Sequence, residues 1–111
     1  MMLSMSETPQ VVKLEGPAQN SAGLGVTTAE KVLALLRQHQ TVELDFAGVE
    51  RITASFANAL VMTILELVGE EALRSRLLLS HAAPLVAAEW EKAIERYRRG
   101  IRLSTQRPGA A

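Results

Sequence analysis

Cysteine is missing altogether, which removes disulfides, thiolate metal sites and cysteine nucleophiles from consideration. Histidine occurs only twice, at His39 and His81, and neither has a second ligand residue at metal spacing, so no metal site and no cofactor are expected. Charge of either sign is not in excess: Lys plus Arg is 12 and Asp plus Glu is 12, giving a formal net charge of zero. No global field therefore draws in nucleic acid or an acidic membrane, and neither is expected as a partner. Zero net charge does favour self-association, which keeps a homodimer open, with apolar surface around Trp90 and Tyr97 as its expected contact. Long apolar runs are also lacking. The longest, residues 56–68, is broken by Asn58, Thr63 and Glu66, too short and too polar to span a bilayer. Residues 1–10 have neither a basic nor an apolar leader segment, so no secretory signal is expected and the expected location is the cytoplasm.

What is present suits one globular domain. The chain has 111 residues, 48% of them hydrophobic and 22% charged, ordinary values for a packed core. Residues 1–10 read as a polar flexible lead, 11–104 as the domain, and 105–111 as a flexible tail. Residues 11–15 alternate as a strand and stop at Gly16-Pro17, and residues 18–26 read as a glycine-containing loop. Thr27-Thr28-Ala29-Glu30 has the form of a capping box, with Ala29, Val32, Leu33, Leu35 and Leu36 at helical spacing to about Gln38. Gly23-Leu24-Gly25 lacks the wider dinucleotide pattern and a P-loop lysine, so it reads as a connection rather than a phosphate cradle.

Val42, Leu44 and Phe46 mark one face of the next strand. A second helix follows over residues 54–68, with Phe56, Ala57, Leu60, Val61, Ile64, Leu65 and Val68 as its apolar stripe and Gly69 as its stop. Residues 70–75 form a charged turn or short helical extension. Residues 76–81 are an apolar run of the kind found in a central parallel strand covered on both faces. Pro84 opens a third helix with Val86, Trp90, Ala93, Ile94 and Tyr97 inside and a Glu95–Arg99 pair outside. Gly100 ends it, and residues 101–103 can add an edge strand. The order β-α-β-α-β-α predicts an α/β fold with a small, mostly parallel sheet, about three helices and right-handed crossovers.

The chemistry is concentrated in residues 41–60. A strand ending in Asp45 turns at Gly48 and launches a helix behind Thr53 and Ser55. Thr53, Ser55 and Ser80 are candidate nucleophiles, but the surroundings of Ser55 are not a nucleophile elbow. His81 reads as a packed or capping histidine rather than a general base. Glu43 and Asp45 share the strand face opposite Val42, Leu44 and Phe46, so one of them is expected to cap or pair, with Arg51 in reach. Asp45 stands at a strand C-terminus, where open α/β sheets place functional groups. Nothing ties the two carboxylates to a third group, and no enzyme is expected; the alternatives are a small hydrolase using Asp45 and Ser55, or a structural homodimeric subunit of a larger assembly. Arg96, Arg98, Arg99, Arg102 and Arg107 bias the C-terminal region toward positive charge, as expected of a solvated helix end complementing its dipole.

Asp45-Phe46-Ala47-Gly48-Val49-Glu50-Arg51-Ile52-Thr53-Ala54-Ser55-Phe56-Ala57-Asn58-Ala59-Leu60 resembles the STAS domain of anti-sigma factor antagonists. It is closer still to the STAS-like family of uncharacterised bacterial domains, in which a strand ending in Asp-Phe is followed by Gly-Val-Glu, an isoleucine, a serine and Phe-Ala-Asp-Glu-Leu. The resemblance covers residues 11–99. It implies a non-enzymatic regulatory module that binds a protein partner, either a histidine-kinase-like ATPase or an anti-sigma-type regulator. In anti-sigma factor antagonists the loop carries Asp-Ser-Ser-Gly and its second serine is phosphorylated; register places that serine on Ser55, with Thr53 as the second hydroxyl candidate. The implied partner-binding positions are Asp45, Thr53, Ala54, Ser55, Phe56 and Asn58. This chain departs from the pattern at Thr53 for the Asp, Ala54 for the first serine and Phe56 for the glycine, and Asn58-Ala59 replace the acidic pair. Two uses of the corner stay open: helix capping alone, or a regulated hydroxyl.

Overall fold

The computed structural model describes the backbone of residues 10–106 and the side chains of residues 10–100. Three strands, β1 (Gln10–Lys13), β3 (Val42–Asp45) and β5 (Leu77–Ser80), form a parallel sheet in the order β1-β3-β5. Two shorter strands, β2 (Ala18–Gln19) and β4 (Arg51–Ile52), pair in parallel beside it. The helices are α1 (Ala22–Leu36), α2 (Ala54–Arg76) and α3 (Pro84–Gln106).

The sheet has one covered face and one open face. Val12, Val42, Leu44 and Leu77 alternate onto the covered face, where they join Phe46, Phe56, Leu60, Ile64 and Ile94 in a single core. The helical stripes expected from spacing supply most of that core: Ala29, Val32, Leu33 and Leu36 from α1; Phe56 to Leu65 from α2; Val86, Trp90, Ala93 and Ile94 from α3. On the opposite face, Val11, Glu43 and Leu78 lie in one register row and Lys13, Asp45 and Ser80 in the next. Val11, Lys13 and Leu78 are exposed there, and Glu43, Asp45 and Ser80 are part-exposed.

Residues 76–81 are therefore not a central strand. β5 is an edge, β3 is the centre, and Leu78 of the apolar run faces outward. The run looks continuous because Leu77 and Leu79 pack inward while Leu78 does not need to. Glu43 likewise stands on an uncovered face, so its charge needs no buried partner.

The N-cap of the first helix lies six residues before the expected one at Thr27. Ser21 is the N-cap, its Oγ accepting from the Leu24 amide at 3.1 Å, while the Thr28 hydroxyl donates back to the Leu24 carbonyl at 2.8 Å and is no cap. Glycines inside a helix cost stability relative to alanine, and Gly25 is there for a tertiary reason. A Cβ at this position would sit 2.5 Å from the Phe56 carbonyl oxygen and 3.0 Å from the Leu60 nitrogen. The side-chain-free surface of Gly25 thus lets α1 meet the first turns of α2 backbone to backbone.

α2 is broken at Gly69, whose φ of 87° lies in the left-handed region. The expected stop is present, and residues 70–76 resume as the short helical extension. Arg76 then ties the two helical ends together: its guanidinium donates to the carbonyls of Leu36, His39 and Gln40 at 2.7–2.9 Å, supplying a cation at the end of α1.

α3 does not end at Gly100. It continues to Gln106, so residues 101–103 are helical rather than an edge strand, and residues 105 and 106 belong to the helix instead of the tail. Residues 1–9 of the expected lead and 107–111 of the expected tail lie outside the described residues; Gln10 belongs to β1. Of the two aromatics expected to carry a homodimer contact, Trp90 is buried in the core and Tyr97 is half-buried against it. Arg96, Arg98 and Arg99 are committed to intramolecular pairs with Glu89, Glu70 and Glu95. Among the described residues no helix is long and apolar enough to cross a membrane.

Candidate functional site

The corner between β3 and α2 is assembled from local signals. β3 ends at Asp45, residues 46–49 turn back through a Val49 amide to Phe46 carbonyl bond of 2.9 Å, and β4 leads into α2. Thr53 is the N-cap, as its extended backbone and hydroxyl suit it: Oγ1 accepts from the Phe56 amide at 3.2 Å. The Thr53 amide in turn donates to the Gln19 carbonyl at 3.0 Å, pinning the start of α2 to the small β2–β4 sheet.

Ala54 and Ser55 are exposed in the first turn. Their amides precede the first intrahelical bond, from Ala57 N–H to the Thr53 carbonyl, so they point outward unpaired by the helix itself. Phe56 occupies the next position and is fully buried. It shapes the corner from beneath and offers no surface, which removes it from the set of partner-contacting side chains. Asn58 is half-buried, its Oδ1 accepting from Arg96 Nε at 2.9 Å, and Arg96 also pairs with Glu89 at 2.7 Å. Asn58 and Met62 line an open groove of about 320 Å³ between α2 and α3, together with Arg96 and Tyr97. Ser55, Asn58 and Met62 recur at helical spacing, so the exposed serine and the groove share one face of α2.

Asp45 anchors a second cluster at the C-terminal edge of the sheet. One oxygen, Oδ1, accepts from the Ala47 amide at 2.9 Å and from His81 Nδ1 at 2.9 Å; the other lies 3.8 Å from Lys13 Nζ. The expected partner, Arg51, is not part of this arrangement. The Ala47 amide first, then His81, and more weakly Lys13 hold the Asp45 carboxyl below its ordinary value. An ionised carboxylate only accepts hydrogen bonds, so the proton shared with His81 is on Nδ1, and Nε2 is the ring nitrogen turned away from Asp45. His81 is neither packed nor buried: its side chain is 66% exposed, and its φ of 56° places a non-glycine residue in the left-handed region. Ser80, beside it, has its hydroxyl enclosed and is not an accessible nucleophile.

Sequence reading located Asp45, Thr53 and Ser55 but not the Asp45–His81 pair. Thirty-six positions separate the two residues, and only the β3–β5 pairing, Asp45 opposite Ser80, brings them together. The usable signal was parallel strands ending in Asp45 and in Ser80-His81. Among the described residues no group of three His, Asp or Glu side chains is placed to hold a metal ion.

Three helices on one face of a small parallel sheet, with polar groups gathered at the C-terminal strand ends and at a capped helix start, define a small α/β domain of STAS-like architecture. The chain belongs to the family described as the STAS-like domain of unknown function (DUF4325), whose model matches residues 28–87, more than half of the chain. That span includes Asp45, the Thr53–Ser55 corner and His81, but not β1 with Lys13. Comparison with curated proteins and with solved structures finds no significant match.

Proposed function

We propose that this domain is a non-enzymatic regulatory interaction module that docks a protein partner through the start of α2 and is switched by phosphorylation of Ser55. The observation carrying the reading is the exposure of Ser55 in the first turn of α2, two residues beyond a cap that leaves it uninvolved. The Thr53 hydroxyl is occupied as the cap acceptor, so Ser55 is the better phosphoacceptor of the two. A phosphate on Ser55 lies among helix N-terminal amides, which favour an anion. It also adds nearly two negative charges to the face leading to the Asn58–Met62 groove, enough to reverse docking there.

The partner class in this reading is a histidine-kinase-like ATPase or an anti-sigma-type regulator, by family analogy with anti-sigma factor antagonists. The groove beside Arg96 and Tyr97 gives such a partner a recess to fill, with Asn58 in its lining; Asp45 and Ala54 remain partner-binding candidates by the family analogy alone.

The test has two parts. Protein isolated from its native cells with phosphatase inhibitors is expected to carry a single phosphoryl group on Ser55, absent in Ser55→Ala. Capture of the native partner is expected to differ between Ser55→Asp and Ser55→Ala; equal capture by both variants removes the switch.

A further inference from the structure

The Asp45–His81 pair is not used by the Ser55 reading, and its chemistry points elsewhere. With Nδ1–H donating to Asp45, Nε2 is the nitrogen that carries the lone pair in the neutral ring, and there it is a base and nucleophile. The carboxylate orients the ring and faces the positive charge that develops on it when Nε2 forms a bond. Asp45 is itself fixed by the Ala47 amide, and β3 and β5 are hydrogen-bonded neighbours, so the pair stands on a rigid platform. Lys13, exposed and in the same register row as Asp45, pairs with that carboxylate from the β1 side and leaves the β5 side to His81. The ring itself is 66% exposed, open to a donor carried by another molecule.

We propose that His81 is a phosphoacceptor site, its Nε2 taking a phosphoryl group from an N-phosphoryl or acyl-phosphate donor. The Nε2 lone pair forms the N–P bond as the bond from phosphorus to the leaving group breaks, and the leaving nitrogen or carboxylate departs with that electron pair. The ring becomes a phospho-imidazolium whose Nδ1 proton remains against Asp45, and charge is balanced when that proton passes to solvent. The modified ring adds negative charge at the C-terminal edge of the sheet. A metal-ligand role is disfavoured because a lone histidine with one carboxylate supplies too few ligands. This site is independent of Ser55.

The experiment uses the full chain and potassium phosphoramidate, a donor that needs no kinase and releases ammonia as its P–N bond breaks. It is run on the Ser55→Ala chain, so that modification of that hydroxyl cannot contribute. His39 serves as the internal comparison, since its Nδ1 is enclosed without a hydrogen-bond partner. Phosphorus NMR and peptide mapping under non-acidic conditions are expected to show one phosphoryl group, on Nε2 of His81, and none in His81→Gln. Asp45→Asn is expected to slow the reaction by about tenfold or more while retaining native circular dichroism. Equal reaction at His39, attachment at Nδ1 of His81, or an unchanged rate in Asp45→Asn overturns the proposal. Should Asp45→Asn fail to fold, nitrogen-15 spectra of the unsubstituted chain decide: Nδ1–H with a bare Nε2 is required, and the opposite tautomer overturns it.

Discussion

The two faces of the three-stranded sheet carry different burdens. On one, Val42 and Leu44 have no exposure at all and lie beneath three helices. On the other, the intervening residues of the same strands are Val11, Lys13 and Leu78, which are exposed, and Glu43 and Asp45, which are part-exposed. Parallel sheets are ordinarily covered on both faces. Here stability is concentrated on one side, and the side left free holds the ionised carboxylate, the lysine and the exposed imidazole at its C-terminal edge.

The comparison is sharpest when the same truncation is made on both faces. Leu44→Ala empties a fully buried site in the central strand and is expected to cost about 2–5 kcal/mol. Leu78→Ala removes the same atoms from a side chain 42% exposed on the neighbouring strand and is expected to stay within about 0.5 kcal/mol. Urea unfolding with unchanged slopes measures both. Similar losses for the two would show that the open face is covered.

Gly25→Ala probes the helical layer rather than the sheet. Alanine is the better helix former by about 1 kcal/mol, yet its Cβ would meet backbone atoms of Phe56 and Leu60 at 2.5 and 3.0 Å. Backbone cannot swing aside as a side chain does, so the clash wins, and a net loss of about 1–3 kcal/mol is expected. A stabilised variant in thermal melts would place α1 further from α2 than described.

At the corner where the two layers meet, the hydroxyls separate. Thr53→Ala loses the cap and is expected to cost about 1 kcal/mol, whereas Ser55→Ala, exposed and free of the cap, is expected to change stability by less than about 0.5 kcal/mol. Equal losses in chemical denaturation would mean that Ser55 is structural, and would weaken the case for it as a regulated group.

These contrasts explain what could be read from the residues alone. β3, the Thr53 cap, the α2 stripe and the break at Gly69 depend on neighbours within a few positions, and spacing and capping chemistry located them. α1 was started too late because Gly23 and Gly25 look like loop residues until α2 is laid across Gly25. The apolar run at residues 77–79 could not reveal that its strand lies at an edge, since order in a sheet is set by pairing. β2 and β4, of two residues each, are too short to leave a periodic signal. The open face was unforeseen for a similar reason: Glu43 and Asp45 alternate correctly, but whether a layer covers them is a property of topology. Gly100 stops nothing because α3 has no steric or backbone demand there.

The smallest expected effect lies on the open face, in the pH dependence contributed by Asp45. Its folded carboxyl is held below the ordinary value of 3.8, chiefly by the Ala47 amide and then by His81. A group whose folded value is lowered contributes stability that is present above the unfolded value and lost as pH falls through it toward the folded one. The stability gap between the unsubstituted chain and Asp45→Asn is therefore expected to be full at neutral pH and to close on acidification through the carboxylate range. Because a backbone hydrogen bond leads and the Lys13 contact at 3.8 Å is the weaker contribution, added salt should leave most of the gap at neutral pH intact. A gap that vanished in high salt would instead assign the anchoring of Asp45 to Lys13. It would also mean that the carboxylate is not fixed from the backbone, and the imidazole it orients would lose its rigid support.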